Sequence, residues 1–218
     1  MAQVFHRSAN VLARDSIVGG VLGATVITLL ASALYRSPVV TQVNINKEQP
    51  IPFGHQRHVG ANGIDCRYCH TTVEKSGVAN VPPTETCMTC HSQVLADAPM
   101  LQPVHESWKT GKPLEWTRVY DLPDFVYFDH SIHVAKGMGC TTCHGEIQEQ
   151  RLTRKVKTLH MSWCLECHRA PEKFIRPKDK VFDVDWAAPH DQLEVGKTLV
   201  EEYKINVEQL SNCSICHR

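Results

Sequence analysis

Cys140-Thr-Thr-Cys143-His144 recurs in outline four more times along the chain, as Cys66-Arg-Tyr-Cys69-His70, Cys87-Met-Thr-Cys90-His91, Cys164-Leu-Glu-Cys167-His168 and Cys213-Ser-Ile-Cys216-His217. These five copies use all ten cysteines of the 218 residues. Two thiols three positions apart, followed at once by an imidazole, form the attachment signature of a c-type haem. The sulfurs form thioethers with the porphyrin vinyl groups, and the histidine supplies a proximal nitrogen to iron. Cys66, Cys69, Cys87 and Cys90 also have zinc-ribbon spacing, as do Cys140, Cys143, Cys164 and Cys167. Neither zinc nor a disulfide framework, however, requires the histidine that follows every second cysteine.

The expected fold is therefore mainly loops and short α-helices wrapped around five covalent c-type haems. Composition agrees: Gly and Pro number 12 each and aromatics make up 7%, which suits short elements around flat apolar cofactors. The formal net charge of the polypeptide is zero, and haem propionates would make the loaded protein acidic. A nucleic-acid partner has no support.

Ser16 to Tyr35, SIVGGVLGATVITLLASALY, carries no charge. At 1.5 Å per residue such a run crosses a hydrocarbon layer of roughly 30 Å. It exceeds the usual apolar core of a signal peptide, although Ala31-Ser-Ala33 resembles a cleavage site, so an uncleaved transmembrane helix is expected at 16–35. Arg7 and Arg14 precede it, which favours a cytoplasmic segment at 1–15 and a haem region on the outer side. Gly19 and Gly23 have the spacing of a helix-contact face.

The remaining sequence contains a duplication. Phe53-Gly-His55-Gln-Arg-His58 precedes the first attachment motif, and Phe128-Asp-His130-Ser-Ile-His133 precedes the third, with histidines 75 positions apart in each case. This places a first haem module with its connector at 36–126 and a second module with the terminal motif at 127–218. Prolines at 99, 103 and 113 predict a looping connector over 92–126, and those at 171, 177 and 189 predict another. Short helices are expected at 64–70, 85–95, 159–169, 193–203 and 210–217.

Five histidines are proximal. Setting His6 aside, His55, His58, His105, His130, His133, His160 and His190 compete for five distal positions. Histidines three apart project from one broad helical face and can reach two haems. Phe53 and Phe128 are expected to pack against porphyrin. Met100, Met138 and Met161 are alternative axial donors.

The phrase F-x-H-x-x-H followed by Cys-x-x-Cys-His resembles the small multihaem cytochromes of the class III group. That resemblance implies His55 opposite His70, His58 opposite His91, His130 opposite His144, His133 opposite His168, and His160 opposite His217. His105 and His190 would be left over. One span, two modules, a terminal fifth motif and the phrases Pro82-Pro-Thr-Glu-Thr-Cys87 and Asp121-Leu-Pro-Asp-Phe-Val-Tyr-Phe-Asp-His130 are similar to the pentahaem membrane-anchored cytochrome subunits of the bacterial alternative complex III family. This likeness implies a place in the bacterial cytoplasmic membrane and electron transfer without independent substrate catalysis. It also implies integral-membrane quinol-oxidising subunits, an iron–sulfur subunit and a monohaem cytochrome or terminal oxidase as partners. A standalone membrane-anchored quinol dehydrogenase feeding a periplasmic reductase is the competing reading. A substrate-converting multihaem enzyme would need an iron with an open distal position, and the surplus of histidines speaks against one.

Overall fold

The computed structural model describes Phe5, His6 and Ser8 to His217. Arg7, used above for orientation, lies outside the described residues. The chain forms two compact units, 1–42 and 43–218.

The first unit is dominated by α1 (Ala9–Arg36), followed by the single turn α2 (Pro38–Thr41). Helix α1 begins seven residues before the uncharged run. Ala9-Asn-Val-Leu-Ala-Arg-Asp has no helix breaker, so charge marks the edge of the apolar segment without ending the helix. Its 28 residues extend about 42 Å, and it is long and apolar enough to cross a membrane. Thr25 and Thr28 donate their hydroxyls back to the carbonyls of Val21 and Ala24, each at 2.8 Å. These two hydroxyls are thereby satisfied within the helix, as a hydrocarbon environment demands.

Among the described residues of the second unit the α-helices are short: α3 (Cys66–Cys69), α4 (Thr84–His91), α5 (Gln102–Thr110), α6 (His130–Ala135), α7 (Cys140–His144), α8 (Met161–Arg169), α9 (Gln192–Glu202) and α10 (Cys213–Cys216), with a π-helical turn at Gln56–Ala61. Every attachment motif forms one of these helices or ends one. Isolated β-bridges, such as Val43 with Lys155 and Met138 with Ile175, tie loops together.

Helix α5 corrects the expectation of a looping connector over 92–126. Pro103 falls in the first turn, where its missing N–H is no loss and its fixed φ favours helix entry. Gly111, at φ +71°, closes the helix in the left-handed conformation. Val104 and Ser107 face inward, and the Ser107 hydroxyl meets Thr84 Oγ1 at 2.6 Å, fixing α5 on α4.

Among the described residues, nine hydrophobic side chains are buried. Two small clusters form, one around Ile51, Leu101 and Val104 and another around Ile175, Leu199 and Tyr203. That is a thin apolar interior for a unit of this length. At Gly196 on α9 a methyl group would collide with the Glu172 carbonyl, so the second cluster depends on close backbone approach.

Candidate haem-binding framework

The duplicated phrase has the same geometry in both copies. Phe53 stacks on His58 with centroids 4.4 Å apart and stands edge-on to His55 at 5.0 Å. Phe128 stacks on His133 at 4.5 Å and stands edge-on to His130 at 4.8 Å. Each phenylalanine thus rests against both imidazoles of its phrase. Local capping helps to set the second copy: Asp129 accepts from the backbone N–H of Ser131 at 2.8 Å and starts α6.

Three histidines of these phrases, His55, His58 and His133, face motif histidines. Ring centroids lie 6.5 Å apart for His55 and His70, 6.2 Å for His58 and His91, and 6.1 Å for His133 and His168. With a metal–nitrogen bond of about 2.0 Å and roughly 1.1 Å from nitrogen to ring centre, two imidazoles on opposite sides of one metal ion have centroids about 6.2 Å apart. The three pairs match that spacing, which suits an iron between them. His130 is an electrostatic neighbour of His144. His160 occupies the N-cap position of α8 without a side-chain capping bond, and its pairing with His217 rests on the resemblance alone.

Orientation is set from behind. His70 Nδ1 donates to the Asn80 carbonyl at 2.6 Å, His91 Nδ1 to Val94 at 2.9 Å, His168 Nδ1 to Leu210 at 2.9 Å and His217 Nδ1 to Phe125 at 3.0 Å. Candidate distal rings follow the same rule: His58 donates to Gly54, His130 to Gly77 and His133 to Asp129, at 2.9, 2.9 and 2.6 Å. A carbonyl only accepts, so each Nδ1 carries the proton and each Nε2 presents a lone pair. This backing fixes tautomer and ring angle as metal-ligating histidines require.

Electrostatics favours the neutral ligating form. Burial first, then neighbouring His70 and His58, pushes His55 down to about 4. Burial, then His130, His70 and His55, pushes His144 to about 4. The His133 imidazole is also lowered, mainly by burial. Burial raises the Cys143 thiol to about 12, with nearby Cys167 and Cys164 adding to the effect.

Several residues that support the framework were not singled out from the sequence. Arg176 is only 3% exposed. Its guanidinium donates to Thr141 Oγ1 at 3.0 Å and Thr142 Oγ1 at 3.3 Å inside the third motif, and to the Asp183 carbonyl at 3.2 Å. It also lies over the Trp186 ring at 4.3 Å. Gln150 donates to the His144 carbonyl at 3.0 Å, and Tyr120 places its ring 4.5 Å from His144. The available signal was Gly137-Met-Gly139 before Cys140: at Gly139 a methyl group would strike the Arg176 guanidinium, and at Gly137 it would lie 2.5 Å from the Arg176 carbonyl.

His105 Nε2 and Arg176 Nε are buried without a hydrogen-bond partner among the described residues. A buried cation of this kind is costly unless an anion meets it, and a haem carries carboxylates. Together with the imidazole spacing, this orphaned donor shows that the residues fit c-type haem. Of the remaining axial candidates, His190 is exposed, Met138 is packed in the Ile175 cluster, and Met100 and Met161 are exposed.

Facing imidazoles at metal-spanning distance beside repeated Cys-x-x-Cys-His define a multihaem c-type cytochrome. Residues 126–218 match the family model described as cytochrome c7 and related cytochrome c. The chain is also 34% identical over 143 residues to the multihaem cytochrome c subunit of menaquinone reductase from Nitratidesulfovibrio vulgaris, covering 56% of this chain and 68% of that protein. It belongs to the family of multihaem c-type cytochromes that contains this subunit.

Proposed function

We propose that this chain is the electron-transfer subunit of a membrane quinol:acceptor oxidoreductase of the alternative complex III type. It holds five haems through the five Cys-x-x-Cys-His motifs. Each iron has two histidine ligands, paired as His55 with His70, His58 with His91, His130 with His144, His133 with His168 and His160 with His217. The observation that carries this reading is the set of imidazole pairs at 6.1–6.5 Å, each ring in them held from behind at Nδ1.

Bound haem supplies a one-electron ferrous–ferric couple. Two histidines at each iron leave no position open for a substrate, which favours electron passage over catalysis. Backbone carbonyls behind most of these imidazoles, and Thr153 behind His55, would keep the rings in place whichever oxidation state a bound haem had. Phe53 and Phe128 brace the histidine rings, and Arg176 would offer positive charge to a propionate beside the third motif. Helix α1 anchors the chain in the cytoplasmic membrane with the haem region outside. The partners are integral-membrane quinol-oxidising subunits, an iron–sulfur subunit, and a monohaem cytochrome or terminal oxidase.

The likeness to a menaquinone reductase subunit favours a second reading, in which electrons run toward quinone in a different assembly. Purification from native membranes separates the two. Co-isolation with polytopic and iron–sulfur subunits and turnover of quinol to an oxidised cytochrome supports the first reading. Quinone reduction by the isolated complex supports the second, and quinol oxidation by the isolated chain supports the standalone dehydrogenase.

Acid sensitivity follows from the depressed histidines. His55 and His144 bind protons near 6.5 when unfolded but only near 4 in the folded chain. Their neutral forms therefore support the fold fully above about pH 6.5, and this support is lost as pH falls from there toward 4. Coordination excludes the same proton and shifts release in the same direction. The low-spin spectrum is expected to hold between pH 7 and 9 and to give way to high-spin haem only on acidification. An optical titration checks this, and ligand loss on raising the pH contradicts it.

A further inference from the structure

The five attachment motifs do not follow one another in space as they do along the chain. The first motif touches the second, where Tyr68 Oη meets Thr89 Oγ1 at 2.9 Å. It also touches the third: the Cys66 and Cys140 side chains are close neighbours. The segments around these two motifs interlock. His55, which faces His70, meets Thr153 Oγ1 at 3.1 Å, beyond the third motif. His130, beside His144, donates its backbone N–H and its Nδ1 to the Gly77 carbonyl, beyond the first motif, at 3.2 and 2.9 Å. Gly54 and Gly60 lie against the carbonyls of Arg151 and Gln148, so closely that a side chain at Gly60 would collide.

The other half of the unit continues the series. Helix α6 joins the third and fourth sites, since it carries both His130, a neighbour of His144, and His133, whose ring lies 6.1 Å from that of His168. His168 of the fourth donates to the Leu210 carbonyl just before the fifth, and Cys164 is a neighbour of Cys216. Exposure gives an independent indication of the ends. Cys90 in the second motif and Cys213 in the fifth are exposed, whereas the other eight cysteines are half-buried.

From these contacts we infer that the haem sites form one line in the order second, first, third, fourth, fifth, with electron exchange at the second and fifth. This rests on the five-haem reading above and adds to it the order and the two ports. One electron enters at one end from a one-electron donor protein and one leaves at the other end to a one-electron acceptor protein. No bond or proton changes place. The ports are the surfaces around Cys90 on α4 and around Cys213 on α10. The first site, which chain order would put at an end, is internal and joins the two halves.

The test is an electron-microscopic map of the detergent-solubilised holoprotein with iron positions resolved, combined with a porphyrin count by mass spectrometry on the same sample. The expected map places the iron held by His70 between those held by His91 and His144, with His91 and His217 irons at the ends. Five porphyrins with the His70 iron at an end, or the His91 iron between two others, overturns the order and leaves the five-haem reading standing. Fewer than five porphyrins overturns both.

Discussion

Replacing His133 with alanine will convert one iron of the chain from six- to five-coordinate and make it bind carbon monoxide. The His133 ring lies 6.1 Å from that of His168 and is held by the Asp129 carbonyl at 2.6 Å and by the stacked Phe128. Alanine keeps α6 intact because it is the best helix former, so the change is confined to the ring. The native ferrous protein is expected to show negligible carbon monoxide binding. The variant should take up about one equivalent per chain, since axial ligation decides access to iron. A carbon monoxide difference spectrum measures this, with high-spin ferric resonance as a second readout. A variant that stays inert to carbon monoxide would remove His133 from the ligand set.

Arg176→Leu has the second large expected effect. The native guanidinium holds two threonines of the third motif and the Asp183 carbonyl while buried against Trp186. Without it two threonine hydroxyls and the Asp183 carbonyl lose their donor, and each buried group left unsatisfied costs about 1–3 kcal/mol. For a chain of this size that lowers the thermal midpoint by on the order of 10 °C. The charge has a separate effect. A cation beside haem favours the ferrous state, so its loss should lower the potential of the third haem, and Arg176→Lys should restore part of it. Thermal denaturation and a redox titration of the holoprotein provide the two measurements. An unchanged midpoint together with an unchanged potential would contradict the role assigned to Arg176.

The parts of this protein that covalent or coordination chemistry imposes locally were legible in the sequence. Cysteine–histidine spacing marked the attachment motifs, the repeated F-x-H-x-x-H phrase marked the facing imidazoles, and the uncharged run marked the core of α1. Tertiary context obscured other features. Pro103 reads as a breaker until its place in the first turn of α5 is known. Arg176 is one more basic residue until the folded chain sets it against Gly139 and the third motif. The interlocking of the 54–60 and 148–153 segments, and of Gly77 with His130, brings together residues that chain order separates. No periodicity records that kind of contact. Glycines such as those at 60, 137 and 139 are its trace, because a missing side chain is what close approach leaves in a sequence.

The central claim is that this chain carries five covalently attached haems, one at every Cys-x-x-Cys-His motif. Intact-mass spectrometry of the protein purified from membranes tests it most directly. The account predicts a single dominant species heavier than the polypeptide by five porphyrins. A species carrying four or fewer, with free thiols at any of the ten cysteines, would contradict it.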